Sequence, residues 1–236
     1  MIRLLLPILL IVGVYVWFRI QAQRTGHVLR ARSRALQNDQ LEGLFLRLAR
    51  TAGIERIEVR VLADRNPNGL VTDTGDIYVT QGFVDAFQRG DVSAPELASV
   101  AAHEMGHLAL GHMRRRAFQV GGIQAATMVL GAVLGRLIPI FPYHLAAWLL
   151  GMVTARLSRN DEFEADAYAT ALMIRSGIGA EPQAKLLEKL PTLIPGSDGP
   201  RSWLASHPPV ADRAEAIRAN AASWSTNESS FSRGKE

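Results

Sequence analysis

The chain begins with an almost unbroken apolar run, Leu4 to Phe18, closed on either side by Arg3 and Arg19. Its 15 residues fall a little short of the ~20 that span a bilayer as a helix, but Tyr15 and Trp17 suit the interface and the arginines can snorkel. No Ala-x-Ala site follows, so the run predicts an uncleaved transmembrane signal anchor over residues 1–20. Leu36 to Ala52 then shows helical periodicity, Ile57 to Val61 alternates as a strand should, and Asp76 to Thr80 is a second strand candidate. Asn66-Pro67-Asn68-Gly69 between them reads as a turn. A second apolar block, Ala117 to Ala155, is broken by Arg136, Pro139 and Pro142, which predicts two antiparallel helices joined through Ile138 to Tyr143. Gly131 and Gly135 would let the two arms approach closely, either as a membrane hairpin or as an Ala-rich hairpin in a soluble core. Gly196 to Pro200 reads as a loop and 223–236 as a disordered tail. The pattern predicts a mainly α fold with a small β-sheet (α+β), its folded domain running over 31–218 around the inserted hairpin 117–155.

Ahead of that hairpin, turn residues from Asp91 to Pro95 and the Ser93/Glu96 capping-box spacing predict a helix starting near Ala94. Leu97, Val100, Ala101, Leu108 and Leu110 give it apolar flanks, so it is expected to be mostly buried. It carries His103-Glu104-Met105-Gly106-His107. Two histidines four apart share a helix face, close enough for both rings to reach one metal. Glu104, on the flank of that face, is placed to take a proton from a hydrolytic water rather than to compete for the ion. Two surface histidines would need none of this, but histidines facing an interior need partners, and a metal supplies one.

Catalytic zinc takes three protein ligands and leaves one position open. A metzincin is excluded, because Leu110 and Met113 stand where that class has glycine and histidine. His112 lies nine residues from His103, half a turn round the helix, and is expected to point away, as a surface or supporting residue. The chain has no cysteine, which removes thiolate ligands, disulfides and a cysteine nucleophile together. The third ligand should therefore be a carboxylate, and the best cluster runs from Asn160 to Ala167. Glu162 and Asp166 share one helix face there, with Glu164 nearly opposite. One of the aligned pair could bind the ion while the other accepts the free N–H of a ligand histidine. A solvated acidic first turn is the alternative explanation of the same residues.

Length constrains how these parts meet. From His107 to Pro139 is 32 residues and from Pro142 to Glu162 only 20, so straight helices would leave the ligands about 18 Å out of register. The first arm should bend or break, near Arg114-Arg115-Arg116 or at Gly121-Gly122. Charge adds orientation: Arg19, Arg24, Arg30, Arg32 and Arg34 follow the first span, and Arg114 to Arg116, Arg156 and Arg159 flank the hairpin. By the positive-inside rule the domain faces the cytoplasm of a bacterial cell. The net charge of +4 is largely these arginines, which argues for membrane orientation and against nucleic acid. No P-loop, Gly-x-Ser-x-Gly elbow or internal repeat is present, so nucleotide and serine-hydrolase chemistries are disfavoured.

Four motifs in fixed order resemble the HtpX-like and CaaX prenyl endopeptidase family of membrane zinc metallopeptidases. They are Asn68-Gly69-Leu70 with Gly75 to Gly82; His103 to His107; Ser158-Arg159 leading into Glu162 to Asp166; and Ser206-His207-Pro208-Pro209 with Arg213. Gly69 departs from that family's commoner alanine. The resemblance covers about 36–218 and implies a zincin-type protease fold. It also implies one Zn2+ per chain on His103, His107 and Glu162, Glu104 as general base, Asp166 supporting the ligands, and His207 with Arg213 near the oxyanion. A strand beside the zinc helix offers an edge for an extended peptide, which makes Asn68, Asp76, Ile77, Tyr78 and Val79 candidate substrate-binding positions. The expected function is a membrane-anchored zinc metalloendopeptidase in protein quality control. Its partners are peptide substrates and the bilayer, and the oligomer is undetermined. Prenyl-peptide processing is a second possibility, and a non-catalytic membrane scaffold with a structural zinc site including His207 is the alternative from another class.

Overall fold

The computed structural model describes residues 26–54, 58–72, 76–112, 115, 142–193 and 211–233, with the backbone alone for 142–156, 211 and 225–233. The described chain is mostly helical with one small mixed sheet, an α+β arrangement as expected. The strands are β1 (Ser33–Ala35), β2 (Val59–Leu62), β3 (Gly69–Val71) and β4 (Ile77–Thr80), ordered β1-β2-β4-β3. β1 runs antiparallel to β2, β2 parallel to β4, and β3 antiparallel to β4.

That order corrects one expectation. β4 is paired on both sides and buried along its length, so Ile77, Tyr78 and Val79 offer no free edge to a peptide. Asp76, just ahead of them, is buried and accepts a hydrogen bond from Arg30 Nη2 at 3.1 Å. Among the described residues the two edge strands are β1 and β3, and the one beside β4 is β3, which Asn68 leads into and which the turn chemistry of Asn66 to Gly69 conceals in the sequence. Gly69 packs against the Val100 side chain so tightly that a β-carbon there would collide with it, which explains the glycine.

The helices are α1 (Asp39–Thr51), α2 (Gln81–Arg89), α3 (Ala94–Ala109), α4 (Pro142–Arg175), α5 (Glu181–Leu193) and α6 (Ala211–Arg233). Asn38 caps α1 by accepting from the Leu41 amide at 3.0 Å, and the helix buries Leu41, Phe45 and Leu48. α3 starts where expected: the Ser93/Glu96 capping box is complete in both directions, and Lys189 of α5 pairs with Glu96 at 2.8 Å. α3 is the centre of the fold, with Leu97, Ala98, Ala101 and Met105 all buried. One core joins these residues to Phe45, Val79, Met173, Leu187, Leu190 and Ile217.

α3 stops at Ala109, and Gly111 takes a left-handed φ of +67°. A break thus falls at the residue type that adopts this conformation without strain, while Arg114, Arg116 and Gly121-Gly122, where one is expected, lie outside the described residues. The second hairpin arm is helical from Pro142 and continues without interruption into the carboxylate segment. Proline suits that first position, where its missing N–H costs nothing. α6 carries on through Ser223 to Arg233, where composition predicts a disordered tail; helix propagation adds one bond for each residue ordered. The apolar run 4–18, the first hairpin arm 117–141, the loop 196–200 and His207 lie outside the described residues. Among the described residues no helix is long and apolar enough to cross a membrane.

Candidate metal centre

His103 and His107 project from α3 toward Glu162 of α4, and all three are buried. The two Nε2 atoms are 3.1 Å apart; His103 Nε2 stands 3.4 Å from Glu162 Oε2 and His107 Nε2 3.5 Å from Glu162 Oε1. Three donors about 2.0–2.1 Å from one tetrahedral ion would be separated by roughly 3.3–3.4 Å. Two imidazoles and a carboxylate are also a donor set that suits zinc. Residues and spacing fit a single divalent cation.

Close approach of the two helices creates this geometry. Gly106, between the two histidines, faces the Ala165 backbone, where a β-carbon would meet the carbonyl oxygen at 2.8 Å. Nothing in the local sequence reveals that role, because the partner lies on a distant helix.

Behind the three donors stands a second layer. Asp166 Oδ1 lies 2.9 Å from His103 Nδ1, so a neutral His103 donates there and leaves Nε2 bare. The buried Arg213 guanidinium donates to Asp166 through Nε and Nη2, at 2.6 and 2.9 Å, and its Nη1 lies 3.3 Å from Glu162. Gln183, which sequence reasoning missed, is buried and donates to the Asp166 carbonyl at 3.2 Å. Burial opposes ionisation of Asp166, but hydrogen bonds from Arg213 and His103 outweigh it and hold the carboxyl below its ordinary range. Burial likewise opposes protonation of His103, yet Asp166 and Glu162 raise it to about 9. Glu104 is half-buried on the flank of α3, close enough for its charge to act on Arg213.

His112 departs from the expectation that it points away, though not from that of a supporting residue. It is 1% exposed, and its Nδ1 sits 2.8 Å from Nδ1 of His107. The half-turn argument assumes a continuous helix, whereas Gly111 reverses the chain one residue earlier and swings the ring back. Glu164 and Asp161 complete this neighbourhood with Arg115.

A buried helical His-Glu-x-x-His whose imidazoles converge on a glutamate of a second helix defines the class: an α+β domain with a candidate mononuclear metal centre of peptidase type. The chain belongs to Peptidase family M48, whose pattern matches residues 35–221. It is 30% identical over 165 residues to Metalloprotease LoiP of Escherichia coli (strain K12), covering 69% of this chain and 62% of that protein. It is 30% identical over 206 residues to Protease HtpX of Cellvibrio japonicus (strain Ueda107), covering 74% and 69%. Metalloprotease YcaL of Escherichia coli (strain K12) is 30% identical over 167 residues, covering 71% and 63%. The chain thus spans less than two thirds of the length of LoiP and of YcaL.

Proposed function

We propose that the protein is a membrane-anchored zinc metalloendopeptidase that hydrolyses peptide bonds of protein substrates. The observation that carries the reading is the triangle of His103 Nε2, His107 Nε2 and a Glu162 oxygen, with sides of 3.1 to 3.5 Å. His103, His107 and Glu162 would hold the ion. Bound there, it supplies Lewis acidity toward the scissile carbonyl and the attacking water. Glu104 takes the water's proton and returns it to the leaving amine. Asp166 keeps the His103 ring in the ligating tautomer, and Arg213 neutralises the two carboxylates that would otherwise repel each other in a buried site. His207, in Ser206-His207-Pro208-Pro209, is the proposed oxyanion donor, on the strength of its motif. The open edge of β3 receives the substrate as an added strand.

Anchoring rests on the apolar run Leu4 to Phe18 and its flanking arginines, which orient the domain toward the cytoplasmic face of a bacterial inner membrane. The single inserted block, 117–155, supplies at most two spans, too few for a large intramembrane chamber. That favours quality control of membrane proteins over prenyl-peptide processing.

The test is Glu104→Gln in the full chain. One zinc per chain should remain while cleavage of an unstructured protein such as casein falls by about 10²–10⁴-fold, the usual worth of a general base. Cleavage at the parental rate would refute the assignment, and zinc retained with no chelator-sensitive cleavage in the parent would mark a structural site instead.

A further inference from the structure

We infer that His112 is a positioning residue for His107, transmitting the polarity of Glu164 through its own ring so that the His107 Nε2 lone pair faces the ion; this rests on the proposed metal centre.

The argument begins at a contact that admits a single proton. His107 Nδ1 and His112 Nδ1 are 2.8 Å apart, so one must donate and the other accept. If His112 donated, the proton of a neutral His107 would sit on Nε2, aimed at His103 Nε2 and at Glu162, and that nitrogen could not ligate. If His107 donates, its Nε2 is bare. The far side of His112 decides between the two. His112 Nε2 lies 3.1 Å from Glu164 Oε2 and 3.9 Å from Asp161 Oδ1. An ionised carboxylate only accepts, so the neutral ring carries its proton on Nε2 and must accept at Nδ1. Hydrogen bonds from His112 and from Arg115 Nη1, at 3.1 and 3.2 Å, hold the Glu164 carboxyl below its ordinary range, and Arg115 Nη1 also donates to Asp161 at 2.9 Å. Both ligand imidazoles are therefore oriented from α4: His103 by Asp166 directly, His107 by Glu164 through an intervening ring.

His112, Asp161 and Glu164 also resemble a second metal site. Two observations argue against it. The Arg115 guanidinium already occupies the position between the carboxylates, and the His112 ring is engaged on both nitrogens.

The experiment measures zinc affinity of the full-length protein by competition with a chromogenic chelator, together with the visible spectrum of the cobalt-substituted form. His112→Leu should weaken zinc about 10–100-fold, the usual effect of removing a ligand's hydrogen-bond partner, and alter the cobalt bands. His112→Asn, whose Oδ1 can accept where Nδ1 did, should recover most of the affinity. Glu164→Gln, whose amide can donate as well as accept, should fall between parent and His112→Leu. Parental affinity and parental cobalt bands in His112→Leu would overturn the inference, as would equal losses in the Leu and Asn variants, or two zinc ions per parental chain. A parent that binds no zinc would instead refute the metal centre itself.

Discussion

Gly106 and Ala165 are in backbone contact: a β-carbon at 106 would lie 2.8 Å from the Ala165 carbonyl oxygen and 3.1 Å from its α-carbon. The neighbour is main chain, so no side chain can swing away to make room. Gly106→Ala therefore sets two effects against each other. Alanine gains up to about 1 kcal/mol in helix propensity, while overpacking a tight contact costs about 1–3 kcal/mol. The clash should win, lowering the denaturation midpoint and, because the ligands sit on the two separated helices, weakening zinc. A Gly106→Ala variant with parental stability and parental zinc affinity would show that the contact does not set the spacing.

Arg213 and Asp166 form the strongest buried pair of the site, with two hydrogen bonds, at 2.6 and 2.9 Å, between fully desolvated groups. Arg213→Met should cost about 3–5 kcal/mol, since it leaves Asp166 and Glu162 buried without their cation. A bound divalent ion restores some of that positive charge. The loss in chemical denaturation should therefore be larger with the protein metal-free than zinc-loaded. Equal losses in the two states would separate Arg213 from the metal centre.

How much of this was legible beforehand depends on how local each cause is. The start of α3 could be read from Ser93 and Glu96 because a capping box spans only four residues. The ligand face could be read because His103 and His107 lie on one helix, and Glu162 with Asp166 on another. His112 could not be placed, because a helical wheel holds only while the helix lasts and Gly111 ends it. β3 is hidden because its three residues begin inside a turn signature, so the alternation points to the more apolar β4 instead. Gly106 and Gln183 act through residues far away in the chain, Ala165 and Asp166, and no local pattern marks such partners.

His103 gives a pH dependence with a definite sign. Burial disfavours its charge, but Asp166 and Glu162 lift it from 6.5 to about 9 in the folded, metal-free protein. A folded value above the unfolded one means that this contribution to stability is complete below pH 6.5 and lost as the pH climbs through 9. The thermal midpoint of chelator-treated protein should fall across that window. Zinc must displace the proton, so below pH 9 binding should release it, and zinc affinity should rise about tenfold per pH unit. Proton release in a weakly buffered titration checks this, and zinc affinity independent of pH from 6.5 to 9 would refute it.

The β3 edge makes a prediction that separates substrate binding from chemistry. Thr72 N donates to Asp76 O and Thr80 N to Asn68 O, so positions 68 and 72 of the ladder are hydrogen-bonded to β4. By antiparallel alternation Leu70 also turns toward β4, and the Val71 N–H points away from it. Proline at position 71 would therefore remove an outward donor and no ladder bond. If an extended peptide pairs there, Val71→Pro loses one main-chain hydrogen bond to substrate, worth about 0.5–1.5 kcal/mol, or a roughly 2–10-fold higher KM. kcat should change little, because Glu104 and the metal ligands lie on α3 and α4. The same substitution at Leu70, whose N–H belongs to the ladder, should instead lower stability. Substrate that binds elsewhere would leave the KM of Val71→Pro at the parental value in a variant of parental stability.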